Sequence, residues 1–142
     1  MESQLHMDYV RKIVSYINEH FSADECAFLL TDLPESSLHP NKVINGYRPD
    51  ALLVGRKIAL IGEAKTPSDI DNRHTKEQLI SYVKELQLLH KEKEKHVIIC
   101  SSVIVMAEIR NMLRHLHNKH DFSGVNLHVI NDLDLKNTTW HL

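Results

Sequence analysis

Val10, Ile13, Val14, Ile17 and Phe21 recur at the spacing of one apolar helical face, which predicts a first helix over about residues 4–21. Residues 27–31 read as a short apolar strand, followed by a polar stretch with Pro and Ser that runs through Asn45. From Asp50 the alternation has period two. Gly55-Arg56, taken as the two-residue loop of a type II′ turn, predicts a hairpin with arms over 50–54 and 57–63. In that register Val54 lies opposite Lys57, Leu52 opposite Ala59, and Asp50 opposite Ile61. One face then carries Ala51, Leu53, Ile58, Leu60, Gly62 and Ala64; the other carries Leu52, Val54, Ala59 and Ile61. Both faces are apolar, which predicts a sheet covered by helices on both sides. A loop over 66–74 leads to a helix over about 76–91 with Leu79, Val83 and Leu86 on one stripe. Residues 97–100 make a compact buried strand. Ser102 suits the cap of a helix carrying Ile109, Met112, Leu113 and Leu116 inward, and residues 126–130 make a last strand. The predicted order is α-β-β-β-α-β-α-β, an α/β protein with a mixed sheet flanked by helices and right-handed later crossovers.

A chain of 142 residues suits one domain spanning 1–142, and no repeat, low-complexity tract or linker divides it. Its hydrophobic share of 42% and charged share of 25% are those of a soluble globular protein. A net charge of −2 excludes a chain coated for nonspecific nucleic-acid binding, so any contact with a polyanion needs a local patch and a bound cation. No apolar run approaches the roughly 20 residues of a membrane span, and the N-terminus lacks a signal-peptide core. The expectation is a cytoplasmic protein with no membrane partner. Cys26 and Cys100 sit in apolar strand-like contexts, which suits buried free thiols better than a disulfide.

The hairpin places chemistry on one face. Glu63 and Lys65 share the face of Ile61 and hence of Asp50, so the two carboxylates are diagonal cross-strand neighbours with Cβ atoms roughly 7–8 Å apart. Charged groups on an otherwise apolar face are costly unless they bind something or each other. One reading is a plain ion-pair cluster. The other is a magnesium site, because magnesium takes one or two protein carboxylates and leaves its remaining positions to water and substrate phosphate. Asp50 and Glu63 supply the carboxylates, and the Ala64 carbonyl is within reach as a third oxygen. Lys65 would then position the attacking water or offset charge growing at phosphorus.

Pro49-Asp50 and Glu63-Ala64-Lys65, on consecutive strands after a helix and a strand, resemble the PD-(D/E)xK nuclease superfamily, the fold of restriction endonucleases and many recombination and repair nucleases. The resemblance covers most of the chain from Asp8 to Cys100, since the predicted element order fits that family's α-β-β-β-α-β core. Gln78-Leu79-Ile80-Ser81-Tyr82 is similar to the Q-x-x-x-Y motif of the RecB-like branch, which implies that Gln78 and Tyr82 help to position DNA or the active-site lysine. Residues four apart share a helical face, so both side chains suit one target. Thr75-Lys76-Glu77-Gln78 also reads as a capping box that would turn Gln78 back toward the helix start.

The family often carries a glutamate on its first helix near the metal, and Glu19 is the best-placed residue, although it falls off the apolar stripe. Asp69, Asp71 and His74 decorate the loop beyond the site, where they reach substrate or simply face solvent. Eleven histidines raise a zinc hypothesis, but His115, His117 and His120 do not share one helical face and no Cys pair supports them. Lys91, Lys93 and Lys95 make the basic helix end expected on dipole grounds. The resemblance implies a restriction-endonuclease-like fold and a nuclease that hydrolyses phosphodiesters with Mg2+, Mn2+ being its substitute, in repair, recombination or defence. DNA is favoured over RNA only through the resemblance, and a homodimer or a place in a larger complex is expected. The alternative is a catalytically silent nucleic-acid-binding or assembly module of the same fold.

Overall fold

The computed structural model describes residues 3–21, 28–41, 46–69, 73–133 and 140–141, apart from the side chains at 69, 140 and 141. Helix α1 spans Gln4–His20, and its start is fixed by Ser3, whose hydroxyl accepts the His6 amide. Strands β1 (Phe28–Thr31), β2 (Ala51–Val54) and β3 (Ile58–Lys65) follow as an antiparallel meander. Helix α2 (Arg73–Leu89) crosses to β4 (Glu94–Ser101), and α3 (Met106–Lys119) crosses to β5 (Val125–Asn131). Strands β3, β4 and β5 are mutually parallel. A two-residue β6, Trp140–His141, adds antiparallel to β5, so a mixed five-stranded sheet gains a short sixth member in the order β1-β2-β3-β4-β5-β6.

The two apolar faces behave as the alternation predicts. Ala51, Leu53, Ile58, Leu60 and Ala64 join Ile98, Cys100 and Ile130 beneath Tyr9, Val10, Ile13 and Ile17 of α1. Ala59 and Ile61 join Val97, Ile99, Leu127 and Val129 beneath α2 and α3, which contribute Leu79, Tyr82, Leu86, Ile109 and Leu113. Gly62 sets how closely α1 approaches, because a Cβ there would meet Ile13 Cγ2 at 2.7 Å and Ala51 Cβ at 3.2 Å. Cys100 is buried and in no disulfide, as expected; Cys26 lies outside the described residues. No helix among the described residues is long and apolar enough to cross a membrane.

Several expectations need correction. The hairpin register is shifted by two residues, with Leu52 opposite Ile61 and Val54 opposite Ala59. The bend falls at Arg56-Lys57 rather than Gly55-Arg56, since the Gly55 amide donates to the Ile58 carbonyl at 2.8 Å, one step beyond the pair of Val54 and Ala59. With Val54 paired to Ala59 rather than Lys57, the expected type II′ turn at Gly55-Arg56 is absent. A two-residue shift leaves every side chain on its expected face. It does change the partners: extending the ladder one step beyond Ala51 and Gly62 sets Asp50 directly across from Glu63 rather than diagonal to it. Helix α2 begins at Arg73, which puts Thr75 inside the helix and removes it as a cap, and it ends at Leu89 rather than Lys91. Ser102 caps the short 3-10 turn Val103–Val105 that leads into α3.

Candidate functional site

The site forms where β2 begins and β3 ends. Asp50 directly precedes β2, while Glu63, Ala64 and Lys65 are the last three residues of β3. Helix α2 lies over this face and supplies Gln78 and Tyr82 from its first three turns. All five side chains with polar ends are buried: Asp50, Glu63, Lys65 and Gln78 are 4–7% exposed and Tyr82 is fully enclosed.

Every one of these groups is tied to another. The Ala64 amide donates to Asp50 Oδ2 at 2.9 Å, and the Asp50 amide points at Glu63 Oε2 from 3.4 Å. Gln78 Nε2 donates to Glu63 Oε1 at 2.8 Å, and its own Oε1 accepts Lys65 Nζ at 2.6 Å. Lys65 Nζ also stands 3.5 Å from Glu63 Oε1. The Tyr82 hydroxyl lies 3.1 Å from both Glu63 Oε2 and the Arg48 carbonyl, and it receives a Gln78 Nε2 proton at 3.0 Å. The structure therefore brings together Asp50, Glu63, Ala64, Lys65, Gln78 and Tyr82. Gln78 turns into the site, away from the helix start that the capping-box reading assigned it.

The electrostatics are unbalanced. Burial, and then the negative charge of Asp50, pushes the Glu63 carboxyl up to about 8, against the opposing pull of Lys65 and the Tyr82 hydroxyl. The Tyr82 phenol rises well above its usual range, first through burial and then through the charge of Glu63. With both carboxylates ionised, two negative charges would face one ammonium in a buried site.

His6, on α1, is the residue that sequence reasoning missed. Its Nε2 sits 3.0 Å from Asp50 Oδ1, so the first helix reaches the site with an imidazole at its N-terminal end. Glu19 does not take this role; it is exposed near the other end of α1. A signal was present in the sequence, because His6 falls in line with Val10, Ile13 and Ile17, a polar residue on the buried stripe. The remaining candidates stay apart. His74 is exposed and meets Tyr47 edge-on at 5.3 Å, the Asp69 side chain and Asp71 lie outside the described residues, and His115, His117 and His120 are exposed around the end of α3.

Oxygens of Asp50 and Glu63, the Ala64 carbonyl and the His6 imidazole are the groups at hand for a cation. Among the described residues no three His, Cys, Asp or Glu side chains converge as a ready-made metal cage. Comparison of the chain with protein-family models, curated proteins and solved structures gave no match.

Proposed function

We propose that this protein is a metal-dependent nuclease of the restriction-endonuclease-like type, hydrolysing DNA phosphodiester bonds with magnesium or manganese. The observation that carries this reading is the convergence of Asp50, Glu63 and Lys65, with Gln78 and Tyr82 over them, in one buried hydrogen-bonded group at the end of β3. The donor set fits a hard divalent cation. Its two carboxylates outnumber the single ammonium, and Glu63 holds its proton to about pH 8 without further positive charge. A strand residue sends its N–H and C=O to the same side. The Ala64 amide already faces Asp50, so its carbonyl leaves toward the same carboxylate. Asp50, Glu63 and Ala64 would hold the ion, which when bound supplies Lewis acidity toward a phosphoryl oxygen and lowers the pKa of a bound water.

The chain's own residues do the rest. Lys65 Nζ, steered by Gln78 Oε1, offsets the charge that grows on the phosphoryl oxygens or holds the attacking water. Gln78 and Tyr82 keep Glu63 and Lys65 in register, as the Q-x-x-x-Y resemblance implies. A single site cuts one strand, so duplex cleavage calls for a homodimer or a larger partner. Light scattering with and without DNA tests that assembly.

A second reading has a specific observation behind it. Both Glu63 oxygens and both Asp50 oxygens already meet donors or the His6 ring, as a closed structural cluster would. That favours a catalytically silent nucleic-acid-binding or assembly module. The deciding experiment is cleavage of duplex, single-stranded, flap and junction DNA, and of RNA, with magnesium, manganese or EDTA. Metal-dependent cutting supports the nuclease; binding with no cutting under either metal supports the silent module.

A further inference from the structure

A second group of buried titratable residues lies at the far end of the sheet, on the α1 face. His96 in β4 and His128 in β5 are each 5% exposed, and His96 Nδ1 stands 2.8 Å from His128 Nε2. His96 Nε2 is 3.0 Å from Glu94 Oε1, and His128 Nδ1 is 3.1 Å from the Tyr16 hydroxyl of α1. Phe21 closes over the pair, its ring 4.8 Å from His96 and 6.0 Å from His128.

The proton positions follow from one fixed point. An ionised Glu94 only accepts, so His96 Nε2 carries the proton and, in the neutral ring, Nδ1 is bare. His128 Nε2 must then donate to that Nδ1, which leaves His128 Nδ1 bare, and Tyr16 must donate to it. All three bonds run one way, from Tyr16 through His128 and His96 to Glu94. One added proton is accommodated at His128 Nδ1 if the Tyr16 hydroxyl turns from donor to acceptor. A second would set two N–H groups against each other across 2.8 Å.

We propose that Tyr16, His128, His96 and Glu94 form an acid-sensitive latch that fastens the C-terminal end of α1 to the sheet, accepting one proton and opening on the second. Other groups face the latch. From α1 these are Glu19, whose charge acts on Tyr16, and His20, stacked on the Tyr16 ring at 4.1 Å. From the sheet, the Lys57 carbonyl receives the Glu94 amide.

The test is imidazole 15N NMR on the full chain between pH 8 and 4.5, beside urea unfolding at each pH. At pH 8 both rings should be neutral with the proton on Nε2. On acidification the folded pair should bind one proton, whereas the unfolded chain binds two near pH 6.5. The unfolding constant should therefore rise about tenfold per pH unit below about 6.5 relative to His96→Gln, which has no pair. Tyr16→Phe keeps both rings but removes the acceptor for the first proton, so its uptake should move to lower pH. An Nδ1-protonated tautomer at either ring at pH 8 overturns the latch. So do two independent titrations near 6.5 with no excess unfolding slope over His96→Gln.

Discussion

The two buried polar groups stand at opposite ends of the parallel strands and solve the same problem in opposite ways. At the start of β4 the histidine chain is complete: each donor has an acceptor, and the order of protons follows from Glu94 alone. At the end of β3 the hydrogen bonds are more numerous, yet the two carboxylates outnumber the one ammonium, so Glu63 keeps its proton to about pH 8. A complete chain fastens structure. An unbalanced one stores a preference for a ligand of the missing sign. Helix α1, roughly 25 Å long at 1.5 Å per residue, touches both, with His6 at Asp50 and Tyr16 at His128.

The largest effects should fall on cleavage. Asp50→Asn and Glu63→Gln each remove a proposed cation ligand and should abolish metal-dependent cutting. Lys65→Ala should lower turnover by at least about a hundredfold while metal still binds, the scale of losing one electrostatic stabiliser. Activity should vanish with EDTA, and calcium should permit binding without cutting. Asn at position 50 is the safer choice, since it keeps an acceptor for the Ala64 amide; Asp50→Ala would strand that donor at about 1–3 kcal/mol. Equivalent changes at His96 and His128 should leave turnover per folded molecule unaltered. If they reduce it as much, the two regions are not separate devices.

Stability against pH separates them next. Glu63 holds its proton to about 8 when folded, against 4.5 in its reference state, so the folded protein binds more protons within that window. Stability from this group is complete below about 4.5, falls as pH rises, and is lost beyond about 8, at about 1.4 kcal/mol per pH unit. The latch has the opposite slope below about 6.5. Between roughly 4.5 and 6.5 the two contributions should nearly cancel, and single variants unmask them. Glu63→Gln should become more stable than wild type at pH 8 by a few kcal/mol, and magnesium should stabilise the wild type there but not the variant. Denaturant midpoints at pH 5, 6.5 and 8 measure this. An unchanged difference between Glu63→Gln and wild type across that range would sink the charge imbalance.

Sequence patterning made one region far more legible than the other. Period-two alternation from Ala51 to Ala64 placed both faces correctly even though the turn was misassigned, because a two-residue slip is invisible to face assignment. The same slip is why Asp50 and Glu63 were expected diagonal and stand opposite. Motif spacing brought out Asp50, Glu63, Lys65, Gln78 and Tyr82, since neighbouring strands and one helical turn set their separation. His6 was harder, as its distance from Asp50 depends on how α1 packs over Gly62. The histidine chain was not legible at all: His96 and His128 sit 32 residues apart, and only the parallel register of β4 and β5 joins them. The histidines that cluster in sequence, His115, His117 and His120, are instead exposed around the end of α3 and form no site among the described residues.

Gly62→Ala probes whether α1 transmits between the regions. The new methyl would press on Ile13 near the middle of the helix, at an expected cost of about 1–3 kcal/mol. A rigid helix pivoting there would disturb His6 and Tyr16 together, visible as simultaneous shifts of the His6 and His128 ring nitrogens. Shifts at one end alone would show that the two contacts are set independently by the strands beneath them.

The smallest effect sharpens the site's internal division. Tyr82→Phe deletes a hydroxyl that bridges Glu63 Oε2 and the Arg48 carbonyl, without opening a cavity. The loss should be about 1 kcal/mol of stability, typical of one hydrogen bond. With that donor gone, Glu63 should hold its proton to still higher pH, since the hydroxyl favours the ionised form. Cation binding at pH 7 should weaken accordingly, and raising the pH should restore it. Gln78→Ala acts on the other side of the same carboxylate and also releases Lys65, so its turnover should fall by more than tenfold and should not recover with pH. Activity per folded molecule, followed from pH 6.5 to 9, distinguishes them. A Tyr82→Phe variant that loses stability but keeps the wild-type pH profile would reduce Tyr82 to packing, leaving Gln78 to order the site.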